Sequence, residues 1–85
     1  MGLYMEMAQD LKSDDAGDFF LRKAFDSLME IAEPKPGGFF IHRRDCYLRL
    51  AQSFHLHKEE SMFVLRMLEQ RGLAYSRNRG VILHA

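Results

Sequence analysis

The stretch LEQRGLAYSRNRGVILH, residues 68 to 84, limits what this chain can fold into more than any other. It reads as an apolar helix end, a glycine, and two short apolar runs on either side of Asn78-Arg79-Gly80. Gly72 suits the left-handed position that commonly closes a helix. Gly80, with Asn78, suits the positive φ of a tight turn. A helix therefore runs straight into a hairpin with strands over 73–76 and 81–84, which predicts a mostly α chain with a small β-hairpin, of class α+β. The tip of that hairpin carries Arg77 and Arg79.

Periodicity supplies the remaining elements. Leu3, Tyr4, Met7, Ala8 and Leu11 predict a short amphipathic N-terminal helix, and residues 13–18 break it. Asp14, Asp15 and Asp18 in that break resemble paired acids for catalysis or a divalent ion. Carboxylates ahead of a helix are also favoured by its free amides, so Asp15 or Asp18 is read as a cap. Leu21, Ala24, Phe25, Leu28 and Ala32, with Phe20 and Ile31 widening the stripe, predict a scaffold helix over 19–33 that Pro34, Pro36 and Gly37-Gly38 end. Phe39-Phe40-Ile41 suits a brief strand. Tyr47, Leu50, Ala51 and Phe54 predict a helix over 44–54, interrupted by His55-Leu56-His57. The last helix, 58–71, turns Ser61, Val64, Leu65 and Leu68 inward and Glu59, Met62, Phe63, Arg66, Met67 and Gln70 outward.

With 85 residues, 47% hydrophobic and 28% charged, the chain suits one ordered domain with a single small core. Residues 1–15 are read as an N-terminal helix and linker, and 16–85 as the domain proper. The net charge is zero, yet residues 1–41 hold eight acids against four bases and residues 42–85 hold eight bases against four acids. A basic second half suits a polyanionic partner. No apolar run approaches a membrane span, no targeting signal is visible, and the single cysteine gives no sign of an oxidising compartment, so the expected setting is cytoplasmic.

His55-x-His57 has the spacing of metal ligands, with His42, His84 and Cys46 as imaginable additions. No second close-spaced pair completes a set of four, so no metal and no cofactor is expected. Cys46 has Arg43, Arg44 and Arg49 near it in sequence but no well-placed base, and is read as a structural thiol. Tyr47, Tyr75 and Phe39 have the chemistry to stack on bases and are assigned to the core instead. No constellation calls for an enzyme.

The order helix, short strand, helix, three-residue turn, helix, hairpin resembles the winged helix-turn-helix family of DNA-binding domains over about residues 19–84. "LAQSFHL" at 50–56 looks like the family's second helix and turn. "LRMLEQRGLAYS" at 65–76 looks like the end of its recognition helix running into the wing, and "RGVILH" like the returning strand. The resemblance implies a three-helix core with an extra N-terminal helix, in a small prokaryotic, archaeal or viral regulator of transcription that binds double-stranded DNA. Arg43 and Arg44 would anchor the second helix to phosphates. Lys58, Met62, Phe63 and Arg66 would face the major groove, and Arg77, Asn78 and Arg79 would form the wing contact. The N-terminal helix of residues 3–12 either folds back over the apolar outward arc of the last helix or, as the preferred expectation, joins two copies as a homodimer through Leu3, Tyr4, Met7 and Leu11. The sequence departs from the pattern at His57, where the family has Ser or Thr as a cap, at Ser61, where it has a branched aliphatic, and in an outward arc that is apolar. That arc supports the alternative of a protein-interaction module that docks on a larger complex without DNA.

Overall fold

The computed structural model describes residues 15–84. Its elements are α1 (Asp15–Met29), β1 (Glu33–Lys35), β2 (Gly38–His42), α2 (Arg43–Phe54), α3 (Lys58–Gln70), β3 (Ala74–Arg77) and β4 (Gly80–Leu83). Among the described residues, three helices stand with one antiparallel sheet in the order β1-β2-β4-β3. The N-terminal segment assigned to dimerisation, with Leu3, Tyr4, Met7 and Leu11, lies outside the described residues.

The scaffold helix runs over Asp15–Met29 rather than 19–33, and Pro34, which disfavours helical backbone at Glu33, keeps it from reaching the expected end. Residues 33–35 instead pair antiparallel with 38–40, Pro34 facing Phe39, so a strand appears where the prolines signalled only a break. Proline fits there because β1 is the sheet edge and needs no inward N–H. Asp18 is not a cap. It lies inside α1 and forms an ion pair with Arg71 at the far end of α3. Ile31, expected to widen the buried stripe, falls in the turn after α1 and is exposed.

Leu21, Ala24 and Leu28 of α1 close against Cys46 and Leu50 of α2 and Val64, Leu65 and Leu68 of α3, with Ile41, Ala74, Val81 and Leu83 as the sheet's contribution. Phe20 meets Phe54 edge to face, ring centroids 5.3 Å apart, and ties the start of α1 to the end of α2. Arg49 fixes the other end, donating from Nε to the Ser27 carbonyl at 3.1 Å and pairing with Glu30. Between α2 and α3 lie three residues, and His55 takes the left-handed conformation at φ 58° while its amide still donates to the Ala51 carbonyl. This sharp turn lets two helices cross α1 in the space of one small core.

The inward stripe of α3 is Ser61, Val64, Leu65 and Leu68, as its spacing predicts. Ser61 is the odd member: its side chain is fully buried and its hydroxyl has no hydrogen-bond partner among the described residues. Burying an unpaired hydroxyl is costly, so Ser61→Ala is expected to stabilise the fold by about 1 kcal/mol. A urea midpoint that rises with an unchanged m-value is the reading to look for. An unchanged or lower midpoint means that Ser61 has a partner in solution.

Candidate nucleic-acid interface

Each candidate residue has a definite position. Arg43 and Arg44 open α2, Lys58 opens α3, Met62, Phe63 and Arg66 lie along α3, and Arg77, Asn78 and Arg79 surround the β3–β4 turn. The turn is tight because Asn78 takes φ 41°. Gly80 does not take the positive φ expected of it. Gly80 is required for space instead, since a Cβ there would fall 2.4 Å from Phe40 Cζ and 2.6 Å from the Ile41 carbonyl oxygen.

The start of α2 is fastened to that turn. The backbone amide of Arg43 donates to the Arg79 carbonyl at 3.0 Å, and its guanidinium donates to the Gly80 carbonyl at 3.4 Å. Residues far apart in sequence therefore share one surface. A hollow of about 510 Å³ has a floor of Tyr47, Leu48, Ala51 and Leu56 and a rim of Arg43, Arg44 and Lys58. It shares Arg43 and Tyr47 with a smaller hollow that reaches Met62 and Arg66 on α3. Arg44 belongs to a third hollow with His42 and Arg79, and these two border a fourth of about 780 Å³, which extends past Arg77 and Asn78 onto the outer face of the sheet. Shared walls thus connect α3, the start of α2 and the hairpin tip in a continuous band.

The cations of the described residues divide into three groups, the first being Arg22 and Lys23 on α1, which form no ion pair among the described residues and lie away from the band. Lys35, Arg49 and Arg71 pair with Glu33, Glu30 and Asp18 respectively. Arg43, Arg44, Lys58, Arg66, Arg77 and Arg79 have no carboxylate partner among the described residues, and all six border the band. Arg49 and Arg71 therefore leave the basic set that the sequence groups together. The acids at the start of α3 are partly spoken for, because Glu60 accepts the His57 amide at 2.8 Å as a reciprocal cap. Glu69, beside Arg66, accepts the Ser76 hydroxyl.

The apolar arc of α3 is narrower than its sequence implies. Met67 is half-buried against the core, whereas Met62 is 41% and Phe63 60% exposed. Phe63 borders none of the four hollows. Two further exposed apolar residues, Phe19 and Leu48, have no counterpart in the sequence reading. Leu48 had a signal available, since it falls off the Tyr47, Leu50, Ala51, Phe54 stripe. Tyr47 and Phe39 pack on the core as expected, but Tyr75 does not: it points outward, stacked on His84 with ring centroids 4.8 Å apart.

Cys46 is fully buried in α2, and burial pushes its thiol up to about 12, with Arg43 opposing and Asp45 adding to the shift. A raised folded-state value means the native state holds a proton that the unfolded chain releases above pH 9.0. The stability this contributes is complete below pH 9.0 and is lost as pH rises towards 12. At neutral pH the thiol is expected to react with a thiol reagent only as fast as the chain opens, so reaction and unfolding rates should match across a urea series. Prompt reaction in the absence of denaturant contradicts this.

Among the described residues, no group of three His, Cys, Asp or Glu side chains is arranged to hold a metal ion, and no helix is long and apolar enough to cross a membrane. Compared with protein-family models, with curated proteins and with solved structures, the chain matches none of them.

Proposed function

We propose that the protein is a winged helix-turn-helix DNA-binding protein that regulates transcription, with α3 as its recognition helix and the β3–β4 hairpin as its wing. The observation that carries this is the band of six cations, without a carboxylate partner among the described residues, running from α3 across the start of α2 to the hairpin tip. The order of elements is compatible with the fold, and β2 pairing with the returning hairpin strand gives the sheet that holds a wing upright. On this reading Arg43 and Arg44 bind phosphates, Lys58, Met62, Phe63 and Arg66 face the major groove, and Arg77, Asn78 and Arg79 meet the adjacent backbone. A homodimer formed through residues 3–11 would present two such bands to a two-fold site.

Binding of this kind draws most of its affinity from released counterions. With about four phosphates neutralised, log affinity is expected to fall with log salt at a slope of about −3 to −4 per protomer, and twice that for a dimer. The test is fluorescence anisotropy of a labelled random-sequence duplex at low salt, where micromolar binding is expected. No binding at that concentration overturns the proposal.

A second reading has one observation in its favour, the 60% exposure of Phe63 beside the exposed Met62. On that reading α3 docks on a protein and DNA plays no part. Phe63→Ser separates the two: a fall in duplex affinity supports a ring that meets a groove, whereas duplex binding that is absent, or that only follows general charge and is unchanged in the variant, supports the protein contact.

A further inference from the structure

Beside the arginines of the proposed duplex contact, the outer face of the sheet carries an apolar surface that duplex binding does not use. Phe40, Ile82 and Tyr75 are cross-strand neighbours in one row on that face, since Phe40 pairs with Ile82 and Ile82 with Tyr75. The next row towards the hairpin tip is His42, Gly80 and Arg77. Gly80 leaves its place in that row open, and the Phe40 ring reaches across it, as the 2.4 Å from Phe40 Cζ to a would-be Cβ requires. His42 meets Phe40 edge to face at 4.9 Å. The hollow of about 780 Å³ therefore has an apolar floor of Phe40 and Ile82 with Arg77, Asn78 and Arg79 beside it. Neither arginine has a carboxylate partner among the described residues.

We infer that this face is a second binding site, for single-stranded nucleic acid, with an unpaired base stacked over Phe40 and its flanking phosphates on Arg77 and Arg79. A duplex offers phosphates and groove edges but hides the faces of its bases, so an aromatic floor gains nothing from it. An unpaired base has a π-face to offer, and stacking tolerates any sequence. The cations supply the complementary charge along the strand. The hollow is open, which suits a chain passing through it more than an enclosed mononucleotide. This site shares Arg77 and Arg79 with the proposed duplex contact but does not depend on it.

The chain contains no tryptophan, so Phe40→Trp creates a single reporter that retains the capacity to stack. Titration of the full chain with oligo(dT) of about fifteen nucleotides is expected to quench that fluorescence saturably, with a log–log salt slope of about −1.5 for two phosphates on a single strand. In anisotropy with labelled oligo(dT), Phe40→Leu is expected to weaken binding roughly tenfold while affinity for a blunt duplex changes less than about twofold. Should Phe40→Leu lose its cooperative melt, the tryptophan titration decides alone. No quenching, or equal oligo(dT) affinity in Phe40→Leu and the natural sequence, overturns the site. Displacement by dTMP at equal nucleotide concentration overturns the strand in favour of a mononucleotide. A chain that binds oligo(dT) but no duplex keeps this site and removes the winged-helix proposal, so the two fail separately.

Discussion

Replacing Gly80 with alanine is expected to cost about 3 kcal/mol of stability and to loosen the β3–β4 hairpin from the rest of the sheet. Backbone strain is not the reason, because Gly80 is not among the residues of positive φ. The cause is volume. The new methyl group would stand 2.5 Å from Phe40 Cε1, 2.4 Å from its Cζ and 2.6 Å from the Ile41 carbonyl oxygen. The ring can swing aside at the expense of its packing. The carbonyl cannot retreat, since Ile41 is paired with Val81 and His42 with Gly80 in the ladder between β2 and β4. Relief must come from separating those strands, and this also strains the bond from the Arg43 amide to the Arg79 carbonyl. Gly17 makes the control: it lies in α1 with nothing within 4 Å of a would-be Cβ, so Gly17→Ala is expected to stabilise by about 0.5–1 kcal/mol. Urea denaturation of both variants supplies the comparison. A Gly80→Ala midpoint close to that of the natural sequence would show that the hairpin is not held against β2 as described.

How much of this was legible beforehand depends on whether a signal is local. The buried stripe of α3 follows from a 3.6-residue period, and Ser61 shows its strength: a polar residue is carried inward because the position demands it. The three-residue turn at 55–57 was visible too, since the apolar spacing lapses there. What escaped depended on pairing partners. β1 escaped because Pro34 and Pro36 signal a break, and only the presence of β2 beside them makes an edge strand of the same residues. The sequence alone assigns Tyr75 to the core, because a strand alternates between two faces and a single residue of register reverses them. Ala74 points in, so Tyr75 points out. Asp18 illustrates the third kind of loss, as its partner Arg71 is remote in sequence and nothing local distinguishes an ion-paired aspartate from a cap. Among the candidate interface residues, the cations at helix starts and at the hairpin tip were legible one by one. That Arg43, Arg44 and Arg79 adjoin follows from the tie between the start of α2 and the turn, which no periodicity contains.

The adjacency makes a charge-matched comparison decisive for the winged-helix proposal. Arg44 and Lys58 rim the same hollow, both exposed, and neither has a carboxylate partner among the described residues. Arg22 and Lys23 on α1 carry the same two charges and border no part of the band. If the band receives phosphates, each cation lost removes about 0.9 from the salt slope, which amounts to about eightfold in affinity at 0.1 M salt. The Arg44→Ala, Lys58→Ala double variant is therefore expected to bind random duplex about sixtyfold more weakly, with a slope shallower by about 2. The loss should be the same on every sequence, because phosphates carry no base identity. Arg22→Ala, Lys23→Ala should bind within about twofold of the natural chain, its long-range charge being largely screened at that salt. Equal losses in the two double variants would mean that the chain attracts DNA by diffuse charge alone, and the band would then have no claim to be an interface. Anisotropy titrations from about 50 to 200 mM salt, run on two unrelated duplexes, separate these outcomes in one series.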